Sequence, residues 1–142
     1  MDGKVLSLWI LTLSFWGSAP LFEKLALRAL EPLLALTLRT GIAAFVLILA
    51  TLLTGKTGQI RELTWQDIGA LGASGLLAGV LGMFTYFSLL KTGVASKVVP
   101  LTAAYPLVTA ILALLFLGEK LTFMRLFGIL LTITGLIILQ RS

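Results

Sequence analysis

The chain has 142 residues, 58% of them hydrophobic and only 12% charged, with a formal net charge of +5. An ordinary globular domain carries about 25% charged residues, so this chain lacks the polar surface to face water all round, and a bilayer is its expected solvent. Its eleven Lys and Arg residues are scattered rather than clustered, which excludes a nucleic-acid footprint; the absence of Cys and His removes disulfides, thiolate nucleophiles, His-based acid–base catalysis and nearly all zinc chemistry, and no cofactor is expected.

A helix of about 20 apolar residues crosses a bilayer core. Five segments qualify. The first runs from about Val5 to Lys24. Its basic start is weak, with Lys4 set against Asp2, and its apolar part runs on too long for a signal peptide, so it reads as a retained span. Trp9, Thr12, Trp16 and Pro20 share one helical stripe that Glu23 continues. Trp16 lies deep, where an indole N–H needs a partner. Trp16 and Pro20 are therefore candidates for the wall of a substrate pathway, with Glu23 at its charged mouth, the other reading being plain packing. An aromatic wall suits a flat or cationic substrate.

The second span runs from about Leu33 to Thr54. Arg39, a turn or so inside it, is expected to snorkel to the interface or to pair with Glu31 or a carbonyl. "ATLLTGKT" (Ala50–Thr57) has part of a phosphate-binding loop, but Ala50 stands where glycine is required and neither the strand nor the helix of that motif is present. It reads as a loop at the end of a span. The longest connection, Thr54–Asp67, carries glycines, charges and an interfacial Trp65.

The third span, about Ile68 to Leu90, is peppered with Gly69, Gly72, Gly75, Gly79 and Gly82. Gly75 and Gly79 form a G-x-x-x-G pair, which in lipid lets helix backbones approach closely. Tyr86 and Ser88 close the stretch with a polar-aromatic patch and join the pathway candidates, the other reading being an interfacial belt.

The fourth span, about Ala95 to Leu117, contains Pro100 and Pro106. Pro106 removes an N–H and frees a carbonyl near Thr102. Such backbone at membrane depth is tolerated only where it faces protein or a wet cavity. Thr102, Tyr105, Pro106 and Thr109 are accordingly pathway candidates, the other reading being a packed kink with threonine back-bonding. Lys97 stands at the mouth, where it would attract an anion. "LGEKLT" reads structurally: Gly118 ends the fourth helix, Glu119 and Lys120 mark the water boundary, and Thr122 starts the fifth. That span, about Leu121 to Leu139, has a smooth face of Gly128, Thr132 and Gly135, assigned to packing or dimerisation.

Five spans put the termini on opposite sides. Lys4, Lys56, Arg61, Lys120 and Arg125 lie on the N-terminal side, and Lys24, Arg28, Arg39, Lys91, Lys97 and Arg141 lie opposite. Orientation follows an imbalance of such charges, and five against six is almost none. One explanation is that the balance carries no signal and other features set the orientation; the other is insertion in both directions with head-to-tail pairing, which reproduces the inverted repeats of many transporters. A parallel dimer, a partner subunit and a monomer are the alternatives.

The stretch "LKTGVASKVVPLTAAYPLVTAILALLFLGEKLTFMRLFGILLTITGLIIL" (Leu90–Leu139), with "FWGSAPLFEKLAL" (Phe15–Leu27) and "LRTGIAAFVL" (Leu38–Leu47), resembles the EamA-type repeat of the drug/metabolite transporter superfamily. The resemblance covers essentially the whole chain, through the order and spacing of loose motifs. It implies an all-α integral membrane protein whose five transmembrane helices, residues 1–142, form one half of an inverted-repeat bundle. Most members carry two such units in one chain; this chain has one and is too long for the four-span multidrug relatives, which strengthens the expectation of an antiparallel homodimer. "FWG" then implies a central cavity at Trp16.

The expected function is transport of small metabolites (amino acids, amines or similar) by alternating access across the plasma or inner membrane. The partners would be the lipid bilayer, a second copy of the chain and a small-molecule substrate. No acidic residue sits mid-span, which points to a facilitator or exchanger rather than a proton-driven pump. The rival expectation is a non-transporting subunit that packs against another membrane protein. No constellation for bond chemistry is present, so an enzyme is not expected.

Overall fold

A computed structural model describes residues 2–116 and 122–141. The expected helix stop at Gly118 and the boundary charges Glu119 and Lys120 lie outside these residues. Among those described there are helices and turns and no strands, and five helical stretches are long and apolar enough to cross a membrane. The protein is an all-α membrane protein. Its contacts group into two compact units, Met1–Thr92 and Gly93–Ser142.

In the first unit, α1 (Gly3–Ala26) is followed by α2 (Pro32–Leu53). Pro32 fits the first turn of α2, where its missing N–H has no helical acceptor to lose, and the preceding Glu31 is extended as a residue before proline must be. Gly55 stops the chain after α2 in the left-handed region, at φ 67°. A 3₁₀ segment, Lys56–Glu62, leads to Thr64. Thr64 starts α3 (Trp65–Ser74) with a reciprocal cap: the Asp67 N–H donates to Thr64 Oγ1 at 3.2 Å, and the Thr64 N–H donates to Asp67 Oδ2 at 3.0 Å. The same span continues through a π-helical segment, Gly75–Gly82, into α4 (Met83–Thr92).

The three spans run up, down and up, so the end of α1, the start of α2 and the end of α4 share one end. That end holds the buried hydrophobic core: Leu27, Ala35, Leu36, Phe87 and Leu90. Lysines close it. Lys24 Nζ donates to the carbonyls of Leu90 and Lys91 at 2.5 and 3.1 Å, satisfying acceptors that a helix C-terminus leaves open. Lys91 Nζ in turn reaches the Leu30 carbonyl at 3.1 Å and Glu31 Oε1 at 2.6 Å.

In the second unit the fourth span is two helices, α5 (Ala95–Thr102) and α6 (Tyr105–Phe116), separated by a turn at Ala103 and Ala104. Pro106 explains the break: inside a continuous helix it would orphan a carbonyl and clash with the preceding turn, whereas at the second position of α6 its missing N–H is harmless. Thr102 Oγ1 back-bonds to the Val98 and Val99 carbonyls at 3.0 and 2.9 Å, which finishes α5. The fifth span, α7 (Phe123–Arg141), begins where Thr122 Oγ1 accepts from the Arg125 N–H at 3.3 Å. It packs on α5, while α6 stands off from it.

Candidate substrate groove and polar cluster

The standing-off of α6 from α7 leaves a groove of about 760 Å³ within the second unit. Tyr105, Pro106 and Thr109 line it from the start of α6, and Arg125, Gly128 and Thr132 line it from α7. The remaining wall is small or aliphatic: Ala103, Leu107, Ala110, Ala113, Leu114 and Ile129. Tyr105 and Thr109, four residues apart on α6, share one helix face at its start. The threonine hydroxyls donate to their own helices, Thr109 to the Tyr105 carbonyl at 3.3 Å and Thr132 to the Gly128 carbonyl at 2.9 Å. That leaves their oxygen lone pairs as acceptors. The groove thus offers acceptors, an aromatic ring and a guanidinium against an apolar floor, a lining that suits a small amphipathic molecule.

The first unit holds a separate cluster at its closed end. Arg39 Nε and Glu23 Oε1 lie 3.2 Å apart, joining α2 to α1. The Tyr86 hydroxyl of α4 lies close enough to the same carboxylate to interact with it. The Arg39 guanidinium is 6.0 Å from the centroid of the Phe87 ring, and the Tyr86 and Phe87 rings are 6.0 Å apart with an interplanar angle of 59°. The Glu23 side chain is only 10% exposed, against 47% for Arg39. Arg39 therefore pairs with Glu23 and not with Glu31, which binds Lys91 instead. The expected pairing of Arg39 with Glu31 is thus corrected to one with Glu23, on the α1 face that also buries Pro20.

The remaining sequence candidates fall as follows. Trp16 is exposed on α1, on the stripe that ends in buried Pro20 and half-buried Glu23. Ser88 is half-buried and donates to the Phe84 carbonyl at 2.8 Å. Thr102 caps α5 and lies outside the groove lining. Lys97 is half-buried in the first turn of α5. A Cβ at Gly75, Gly79, Gly128 or Gly135 would meet nothing within 4 Å. Gly128 faces the groove. Sequence reasoning missed Arg125 and Thr132 as lining residues. Their spacing with Gly128, three and four residues apart on one helix face, is the signal that was available.

Residues 4–141 match the EamA-like transporter family. An uncharacterised transporter of Archaeoglobus fulgidus is 30% identical over 139 residues, covering 93% of this chain but only 47% of its own. An uncharacterised transporter of a Sinorhizobium species is 29% identical, covering 92% of each chain. An uncharacterised protein of Methanocaldococcus jannaschii is 34% identical over 145 residues, covering 100% of this chain and 99% of its own. The chain thus spans about half the length of the Archaeoglobus relative. No solved structure matches it. With five apolar helices, a proline-broken fourth span and a family match that runs almost end to end, the chain belongs to the EamA-like transporter family.

Proposed function

We propose that the chain is a single five-helix domain that pairs with an inverted copy of itself and moves small metabolites across the plasma or inner membrane by alternating access, without bond chemistry. The observation that carries this reading is the groove beside the broken fourth span. A bilayer-spanning helix is interrupted at Ala103 and Ala104, and the groove beside the interruption sets Tyr105, Thr109, Thr132 and Arg125 among small and aliphatic side chains. Broken helices at membrane depth are where transporters build their sites. Amino acids, amines and similar amphipathic molecules fit such a lining. The near-even charge balance across the spans and the open glycine faces support the inverted pair.

Topology tests the pair first. The chain has no cysteine, so Gly58→Cys in the exposed 3₁₀ segment gives a single reactive thiol. An impermeant maleimide applied to intact cells should label about half the sites, as expected for two opposed orientations, and the rest only after lysis. Labelling from one side alone would overturn dual insertion. Uptake of an amino-acid and amine panel into proteoliposomes then tests transport. The open glycine faces also fit a non-transporting subunit, which stoichiometric copurification with another membrane protein and no uptake would favour.

A further inference from the structure

The third span is built from three pieces whose surroundings differ. Its second half, α4, is fixed: Phe87 and Leu90 are fully buried, Tyr86 meets the Glu23 carboxylate, and Lys24 caps the last carbonyls. Its first half, α3, buries no side chain and has no packing on α1 or α2 comparable to that of α4. Between the two lies Gly75–Gly82, "GLLAGVLG", wound as a π-helix.

A π turn bonds each N–H to a carbonyl five residues back instead of four, and such turns are rare, short and common at functional sites. Passing between π and α winding shifts each acceptor by one residue, which rotates and bends everything beyond it. The glycines make that exchange sterically open. A Cβ at Gly82 would lie 3.0 Å from the carbonyl oxygen of Leu77, five residues back, whereas at Gly75 and Gly79 it would meet nothing within 4 Å. Gly82 admits the widened turn, and no described neighbour restrains the others.

We infer that Gly75–Gly82 is a hinge, about which α3 swings while α4 stays clamped to the first two spans by Phe87, Leu90 and the Glu23–Arg39–Tyr86 cluster. This deepens the alternating-access reading and rests on it for its purpose, though not for its measurement.

Two pairs of spin labels test it in the otherwise cysteine-free chain. Leu49→Cys with Leu71→Cys measures α2 to α3, and Leu33→Cys with Leu89→Cys measures α2 to α4; all four positions are exposed. Distances are read by double electron–electron resonance in lipid vesicles, with the labelled protein diluted in excess unlabelled protein and no substrate added. The first pair should give two populations or a distribution about twice as wide as the second, the spread that hinge motion imposes on a swinging element. Adding Gly79→Ala and Gly82→Ala should narrow the first distribution to the width of the second. Equal widths in the parent protein, or a first distribution that the alanines leave unchanged, would overturn the hinge. An uptake assay on the same vesicles is scored separately, so failure of transport does not pass for failure of the hinge.

Discussion

Arg39 and Glu23 sit on consecutive helices and meet between them, with the carboxylate nearly enclosed. Removing one partner of a fully buried pair costs about 3–5 kcal/mol, because the other charge is left stranded. Arg39 is 47% exposed, so solvent screens much of the interaction. Arg39→Ala should therefore cost about 1–3 kcal/mol, read as a lower unfolding midpoint in detergent. Glu23→Gln, which keeps an uncharged partner for Tyr86, should cost less. An Arg39→Ala protein as stable as the parent would remove the cluster's role as a tie. Because Glu23 is held by Arg39 and Tyr86, Glu23→Gln should also leave uptake as indifferent to a pH gradient as the parent; a gradient-driven uptake lost in that variant would mark Glu23 as a proton carrier. The sequence showed both charges but not their meeting. A charge near the end of an apolar helix satisfies the snorkelling pattern whichever way the helix is rotated, and here the rotation is set by Leu27, Ala35, Leu36 and Phe87, whose packing no local pattern reveals.

At the level of helices, proline was the legible signal. The run from Ala95 to Phe116 looks like one span by hydropathy, and Pro106 marks where it breaks into α5 and α6. Pro106→Ala restores an N–H able to bond the Thr102 carbonyl, which favours one continuous helix. The expected outcome is an unfolding midpoint equal to or above the parent's, with uptake reduced about tenfold, or about 1.4 kcal/mol of barrier. Unchanged uptake would separate the break from function. The π segment was not legible. Gly75, Gly79 and Gly82 fit a close-packed α-helix as well as a π-helix in sequence, since the two differ by one residue in hydrogen-bond register, and only the surroundings decide between them. The five spans themselves were read from apolar length because in lipid the backbone has to satisfy itself within each helix.

For the whole molecule, the proposed inverted pair makes orientation a property that a single added charge should tip. Gln59 lies in the connection after α2 and Ala29 in the connection after α1, on opposite ends of the spans. Gln59→Lys and Ala29→Lys should each bias insertion toward keeping the added charge in the cytoplasm. Each variant alone should insert one way and transport poorly, while the two expressed together should recover uptake. Full activity from either alone would exclude an obligate inverted pair. The contact between Glu23 and Arg39 carries a further consequence, for synthesis. On translocon scales a lone charge opposes insertion, by about 2.5–3.5 kcal/mol at a helix centre and by less toward the ends, where Glu23 and Arg39 lie. Here the two opposite charges sit on neighbouring helices joined by a few residues, and they meet across the hairpin. A nascent chain that folds α1 against α2 before release presents the bilayer with a neutral pair, so these two helices are best delivered together, as a unit, rather than one after the other.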